Sequence, residues 1–173
     1  MSGARVTYRF LCLGLSLFTL VVLATTAAHA KCADPAAPGV DWRRCYMEGL
    51  PLAEATLPGA QLREARFNRA DLARADLTKA DGRRAKFVSA DLPQATLDYA
   101  DLREADFTRA NLAGASLKGA NLQRARLFRA NLRAVDLTGA RLEDADLLKA
   151  DLSGATWIDG KRICKQGSIS QCK

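Results

Sequence analysis

Residues 100–119 read ADLRE ADFTR ANLAG ASLKG, four five-residue units that each carry a large apolar residue in the third position. This period runs from Leu57 to Trp157 with Gly82 as its exception, and Ala fills the first position of every unit except at Val135. On an α-helix five residues advance about 500°, so successive Leu side chains would point in every direction. On a continuous strand five residues reverse the face. All the Leu side chains can be buried together only if the chain turns once per unit, which is a solenoid.

Three phenylalanines indicate how many units form one coil. Phe67, Phe87 and Phe107 lie 20 residues apart, which is four units, so we predict a four-sided coil in which residues 20 apart stack vertically. The fifth positions of side two alternate in charge up such a stack (Glu64, Arg84, Glu104, Arg124, Asp144), as favourable neighbours do. The stacked inward residues are Leu57, Leu77, Leu97, Leu117, Leu137 and Trp157 on side one; Leu62, Gly82, Leu102, Leu122 and Leu142 on side two; Phe67, Phe87, Phe107, Leu127 and Leu147 on side three; and Leu72, Leu92, Leu112, Leu132 and Leu152 on side four.

The units resemble those of a known family. ADLAR at 70–74, ANLAG at 110–114 and ADLSG at 150–154 are similar to the A(D/N)LXX unit of pentapeptide repeat proteins. The resemblance implies an all-β fold, the right-handed quadrilateral β-helix, and the handedness rests on the resemblance alone. We predict a signal peptide at 1–30, an N-terminal cap and first coil at 31–50, the β-helix at 51–159 and a disulfide cap at 160–173.

The N-terminal segment has the three parts of a secretory signal peptide. Arg5 and Arg9 supply positive charge, Phe10 to Ala24 is an apolar run, and Ala28-His29-Ala30 is a small-x-small cleavage site. An uncleaved anchor is the alternative, although the run is shorter than the ~20 residues of a membrane span. We therefore predict an exported protein, periplasmic or secreted, whose net charge falls from +7 to +5 when both Arg residues are removed.

The cysteines that follow the signal are expected to form two disulfides. Cys32, Cys45, Cys164 and Cys172 are an even number in an exported chain. About six coils at ~4.8 Å each would separate the two ends by ~29 Å, far beyond disulfide reach. This leaves Cys32–Cys45 and Cys164–Cys172 as staples of two end caps. A redox or metal site is the alternative, but the chain has no CxxC and loses its one His with the signal.

Two irregularities of the repeat allow more than one interpretation. Gly82 predicts either a void between Leu62 and Leu102, compensated by the large Phe stack, or a local bend that shapes a surface site. The second-position column of side four suggests either a calcium site or turn residues that bond to nearby backbone. That column contains Asp71, Asp91, Asn111, Asn131 and Asp151.

Surface charge is unevenly distributed over the four sides. Between residues 55 and 159, side three carries seven cations against Asp106 and Asp146, whereas the other three sides are neutral or net acidic. Apolar residues accompany this charge at its fourth positions, including Val88. The candidate binding face consists of Arg66, Arg69, Lys86, Arg109, Arg126, Phe128, Arg129, Leu148 and Lys149.

These features favour a non-enzymatic binding or scaffold module. An anionic glycan, a lipid headgroup or an acidic protein would suit the basic side, whereas nucleic acid is disfavoured for an exported chain with one aromatic residue in the face. A purely structural envelope role is an alternative. A DNA mimic that occupies a topoisomerase is another, implied by the resemblance but opposed by the basic charge. No catalytic residue, metal ligand or cofactor is predicted, because a filled interior without His cannot assemble a Ser-His or Cys-His nucleophile.

Overall fold

The computed structural model describes residues 32–173, so the predicted signal peptide and its cleavage site lie outside the described residues. Within 32–173 there is no helix, and the β-structure consists of single-residue bridges rather than long strands. Twenty parallel bridges join residues 20 apart, from Asp41↔Gln61 to Asp136↔Thr156. The coil is therefore 20 residues long, as the spacing of the phenylalanines predicts.

Each unit forms one side and one corner of the coil. Ala65 N–H donates to Leu62 C=O at 2.9 Å, which closes a β-turn around Arg63 and Glu64. Glu64 is the fifth residue of its unit and the third residue of this turn. Its φ of 60° is the left-handed conformation that a type II turn requires there. Between coils, Leu62 N–H donates upward to Asp81 C=O, and Gln61 N–H donates downward to Val40 C=O, both at 2.8 Å. The N–H groups of third-position residues thus bond to the coil above, and those of second-position residues bond to the coil below. Every inner coil is therefore hydrogen-bonded to both of its neighbours.

The core is a column of buried apolar side chains without polar interruption over most of its length. Phe67, Phe87 and Phe107 are fully buried, and their rings stack with centroids 5.2 and 4.8 Å apart and planes within 6° of parallel. A Cβ added to Gly82 would lie 2.9 Å from Leu102 Cδ2. Leu102 Cδ2 thus occupies the place where a side chain at position 82 would begin, so the space beside Gly82 is at least partly filled.

The second-position column of side four has the turn-bonding role. Asp71 Oδ1 accepts the Ala73 N–H at 3.0 Å, and Asp151 Oδ1 accepts the Ser153 N–H at 3.0 Å. Neighbouring amides also bond along the column, with Asn131 Nδ2 donating to Asn111 Oδ1 at 2.9 Å. Within residues 32–173 no cluster of three or more His, Cys, Asp or Glu could hold a metal ion.

Both ends of the solenoid are tied by disulfides. Cys32 is bonded to Cys45, and Cys164 is bonded to Cys172, with Cα–Cα distances of 5.4 and 4.9 Å. At the N-terminal end Trp42 is buried, and its Nε1 donates to Asp34 C=O at 3.2 Å. At the C-terminal end the tail reverses direction and forms two antiparallel bridges, Asp151↔Ile169 and Thr156↔Ile163.

Candidate binding face on side three

The fifth-position cations of side three project from the corner between sides three and four. Arg109, Arg129 and Lys149 have φ values of 58°, 56° and 62°, so each occupies the left-handed position of its turn. All three side chains are exposed. Because they belong to consecutive coils, they form a vertical column at the coil spacing of ~4.8 Å. Three like charges in direct succession repel one another unless an anion lies between or beside them.

On side two, by contrast, the arginines form salt bridges with carboxylates. Arg83 pairs with Asp81 at 2.7 Å, Arg84 with Glu104 at 2.9 Å, and Arg124 with Glu104 at 3.0 Å. Every arginine of side two within residues 32–173 has a carboxylate partner; these are Arg43, Arg44, Arg63, Arg83, Arg84, Arg103, Arg124 and Arg141. Side two is therefore charged but internally neutralised.

Side three is neutralised far less. Arg69 reaches Glu48 only at 4.0 Å, and Arg126 reaches Asp106 only at 3.8 Å. The remaining five cations of this side have no carboxylate within salt-bridge distance in the described part of the chain; they are Arg66, Lys86, Arg109, Arg129 and Lys149. The structure thus places all seven predicted cations on one side and leaves most of their charge uncompensated.

Aromatic rings rather than acids contact two of these cations. Arg129 Cζ lies 5.2 Å from the centroid of the Phe128 ring, and Arg66 Cζ lies 4.8 Å from that of Tyr46. Tyr46 is 69 % exposed and was not among the residues predicted from sequence. Because an aromatic ring leaves the positive charge in place, both guanidinium groups remain available to an anion.

The predicted apolar members of the face differ in exposure. Leu148 is 56 % exposed, whereas Val88 and Phe128 are half-buried between neighbouring coils. The sequence shows that fourth positions face outward, but it does not show how far long arginine side chains cover them. The face is consequently more polar than the residue types suggest.

The adjoining column of side four carries amides at the levels of the exposed arginines. Asn111 follows Arg109 and Asn131 follows Arg129, whereas the coils below have Asp71 and Asp91 in this column. The amides add hydrogen-bond donors beside the arginines without adding negative charge. Asn131 Nδ2 donates to Asn111 Oδ1 at 2.9 Å and Asn111 Nδ2 to Asp91 Oδ1 at 3.4 Å, so the amides are bonded along their own column while Arg109 and Arg129 have no carboxylate partner in the described chain.

Two further properties bear on the type of site. No helix in residues 32–173 is long and apolar enough to cross a membrane. The corner between sides two and three forms an open, shallow groove lined by charges of both signs, among them Lys86, Arg126 and Asp106. Such a surface suits an extended or flat partner better than a small enclosed ligand.

Comparisons with known proteins identify the repeat. The Pentapeptide repeats profile matches eight copies, within residues 45–81, 60–97, 85–124 and 125–156. No curated protein matches the sequence significantly. Among solved structures, a pentapeptide repeat protein of the Arabidopsis thaliana thylakoid lumen is 27 % identical, covering 65 % of this chain and 72 % of its own at a TM-score of 0.43. QnrB1, a plasmid-mediated fluoroquinolone resistance protein, is 20 % identical, covering 70 % and 65 % at a TM-score of 0.42.

HetL of the cyanobacterium Nostoc sp. strain PCC 7120, described as involved in heterocyst differentiation regulation, is 24 % identical. The superposition covers 76 % of this chain and 94 % of the HetL chain, with a TM-score of 0.30. Taken with the 20-residue coil, the profile match over most of residues 45–156 shows that the chain belongs to the pentapeptide repeat family, whose fold is a right-handed β-helix.

Proposed function

We propose that this protein is an exported, non-enzymatic binding module whose side three holds an anionic partner. One observation carries the proposal: five cations of side three have no carboxylate partner within the described residues, whereas every arginine of side two has one. A surface of uncompensated charge attracts opposite charge and raises the rate of encounter with it.

The chemistry of the face indicates what the partner offers. Guanidinium groups form paired hydrogen bonds with carboxylate, sulfate or phosphate groups, and Arg109 and Arg129 present two such groups one coil apart. A partner with repeated anionic groups therefore gains most from this face. Anionic glycans, lipid headgroups and acidic protein surfaces share that chemistry.

The two disulfides support export. Disulfides persist in oxidising compartments and are rare in the reducing cytosol. The sequence expectation of a signal peptide agrees with them, and a DNA mimic would in addition require an acidic surface where this face is basic. We therefore place the partner outside the cytoplasm.

The experiment compares wild-type protein with the triple variant Arg109→Glu, Arg126→Glu and Arg129→Glu. Retention on a heparin-like resin and on anionic liposomes is measured at increasing salt. We expect wild-type retention that falls with salt, and a loss of at least about tenfold in the variant, because phosphate and sulfate contacts are salt-dependent. Preference for resin over liposomes would identify a glycan, and the reverse would identify headgroups.

The matched control is a variant with the same change in charge at three lysines outside side three. Lys79, Lys161 and Lys165 are exposed, and no salt bridge involves them in residues 32–173. Their replacement by Glu should leave most of the retention intact. Equal losses in both variants would show that net charge alone drives binding, and would refute the face.

A further inference from the structure

The C-terminal tail covers only half of the last coil. Leu152 N–H donates to Ser168 C=O at 2.9 Å, and Trp157 N–H donates to Arg162 C=O at 2.7 Å. Ala150 C=O and Ala155 C=O accept bonds from Ser170 and Cys164. The tail thus satisfies these backbone groups at the end of sides four and one.

Side two and most of side three of the same coil are left open, and on side three the tail bonds to Lys149, whose N–H donates to Ser170 Oγ at 2.9 Å. In inner coils the third- and fifth-position N–H groups donate to the next coil, as Leu122 does to Arg141 at 2.8 Å and Arg124 does to Glu143 at 2.9 Å. The N–H groups of Leu142, Asp144 and Leu147 have no acceptor among residues 32–173, and the carbonyls of Ala140 and Ala145 have no donor there. These five groups form an unfilled ladder, which we name the open edge.

The floor of the open edge is apolar. Leu142, Ala145 and Leu147 are only partly buried, whereas Leu122 and Leu127 directly below are at most 1 % exposed. An unpaired edge beside exposed Leu side chains is a template for strand addition. The protein's own tail demonstrates such addition on the other two sides.

Charge along the open edge indicates what an added strand carries. Asp144 and Asp146 lie between the two leucines, and no salt bridge in the described chain involves either carboxylate. Cations stand outside the leucines, at Arg141 and Lys149. A complementary strand therefore has two apolar residues five apart, basic residues between them and acidic residues outside. This pattern reads nearly the same in both chain directions.

A second copy stacked in register does not fit this edge. Continuing the 20-residue register would place the copy's residue 41 where residue 161 would fall. Its residues 37–40 would then coincide with 157–160, which already form a turn closed by Gly160 N–H and Trp157 C=O at 2.8 Å. The N-terminal cap thus opposes head-to-tail stacking.

We propose that the open edge binds a peptide segment of another protein by backbone pairing, the segment turning with the corner closed by Ala145 N–H and Leu142 C=O, with two apolar anchors five residues apart on Leu142 and Leu147 and basic residues facing Asp144 and Asp146. This site is separate from the basic side-three face, because it uses the end of the solenoid and prefers the opposite charge. It requires no anionic partner.

A probe with the two apolar anchors and the central basic residues of this pattern exists within the chain itself. Residues 120–130, ANLQRARLFRA, contain Leu122 and Leu127 five apart with Arg124 and Arg126 between them. In the solenoid these residues lie one coil below Leu142, Leu147, Asp144 and Asp146. A fluorescent synthetic peptide of this sequence, titrated into the purified protein and followed by anisotropy, should bind saturably. Hydrogen exchange should slow at the amides of Leu142, Asp144 and Leu147.

Two controls separate the site from general attraction of a basic peptide. A peptide with Leu122→Ser and Leu127→Ser keeps all charges and should lose at least about tenfold in affinity, since the apolar anchors are gone. The protein variant Asp144→Lys with Asp146→Asn should bind the original peptide with an affinity lowered by a similar factor. Its partner variant, Asp91→Lys with Asp71→Asn on side four, makes the same charge change and should bind as wild type.

The outcomes are decisive in either direction. Binding that depends on both Leu residues, is weakened by the edge variant and protects the three amides supports the site. Absent binding, equal binding of the Ser peptide, or protection elsewhere overturns it. Protection of the same amides by rising protein concentration alone, with a doubling of mass, would assign the edge to a second copy and also overturn the proposal.

Discussion

At the scale of single residues, the corners of the coil demand an unusual backbone. Most fifth positions in the solenoid are not glycine, yet they hold φ near 60°, including Ala134 at 54°. A side chain in the left-handed region costs roughly 1–2 kcal/mol relative to the right-handed region. The inter-coil bonds at each corner, such as Ala134 N–H to Ser153 C=O at 3.0 Å, offset that cost. The repeated hydrogen bonds between coils thus hold arginine and other non-glycine residues in the left-handed conformation at the corners.

Replacing Ala134 with Gly tests this strain. We expect the free energy of unfolding to rise by up to about 1 kcal/mol, because Gly relieves the left-handed conformation although it gains entropy when unfolded. The matched control, Ala113→Gly, changes a fourth position, for which no positive φ occurs. It should lower stability by roughly 0.5–1 kcal/mol. Equal effects of the two changes in chemical denaturation would contradict the argument.

Among the described residues, Asp81 is the carboxyl group whose pKa is lowered most strongly. Hydrogen bonds from Arg83, and after the opposing effect of burial those from Arg63, lower the pKa of Asp81 from 3.8 to about 2. Its side chain is only 17 % exposed. Because the folded pKa lies below the unfolded one, the stabilisation is complete above the unfolded pKa of about 4. It is lost as pH falls toward 2.

Asp81→Asn should therefore cost roughly 2 kcal/mol at pH 7 and much less near pH 2. Denaturation of wild type and variant at a series of pH values measures this. The control is Asp71→Asn, whose exposed carboxylate has no arginine partner in the described chain. A constant difference between wild type and Asp81→Asn across the pH range would refute the Arg83 pairing.

At the scale of the repeating element, the phenylalanine stack is the most specific feature of the core. Phe87 has a parallel ring on each side, at 5.2 and 4.8 Å, whereas Phe107 has a parallel ring only below it. Stacked aromatic pairs contribute about 0.5–1.5 kcal/mol beyond the area that they bury. The Phe87 ring therefore contributes more to the free energy of unfolding than the Phe107 ring.

Phe87→Leu should destabilise the protein by more than Phe107→Leu, by about 0.5–1.5 kcal/mol, which is one stacked pair. Both substitutions remove the same volume, so the difference isolates the ring contacts. Thermal and chemical denaturation of the two variants checks the order. An equal or reversed order would show that the rings act only as apolar volume.

At the scale of the whole molecule, the two ends and the four sides have different tasks. Arginines on side two are paired with carboxylates within a coil or between neighbouring coils, side three retains its charge, and the tail closes half of the upper end. The Cys164–Cys172 bond closes a loop within the tail that covers sides four and one. Since few long-range contacts hold a terminal segment, it is the part that can open without global unfolding.

Cys164→Ser with Cys172→Ser should release the tail by local opening. A closed loop of this length contributes about 2–3 kcal/mol in the chain-entropy model, so hydrogen exchange should accelerate strongly at the amides of Leu152, Gly154 and Trp157. Amides of inner coils, such as Leu92, should keep their protection. Simultaneous loss at both places would show that the tail and solenoid unfold together.

Much of this molecule follows from its sequence alone. A period of five with Ala and Leu in fixed positions allows no helix or long strand, and the 20-residue spacing of Phe67, Phe87 and Phe107 sets the coil. Register then assigns each cation to a side, and the two disulfide pairs follow from the distance between the ends. These properties are repetitive, so a pattern of residue types is sufficient to determine them.

Only the tertiary structure decided the properties that depend on individual side-chain positions. Leu102 Cδ2 lies beside Gly82, Arg129 lies over the Phe128 ring, and the tail covers sides four and one but leaves side two and most of side three uncovered. The path of the tail is aperiodic and depends on where Cys164 and Ser168 are buried. Repetition fixes the solenoid, whereas its ends and its unpaired charges depend on contacts that occur only once.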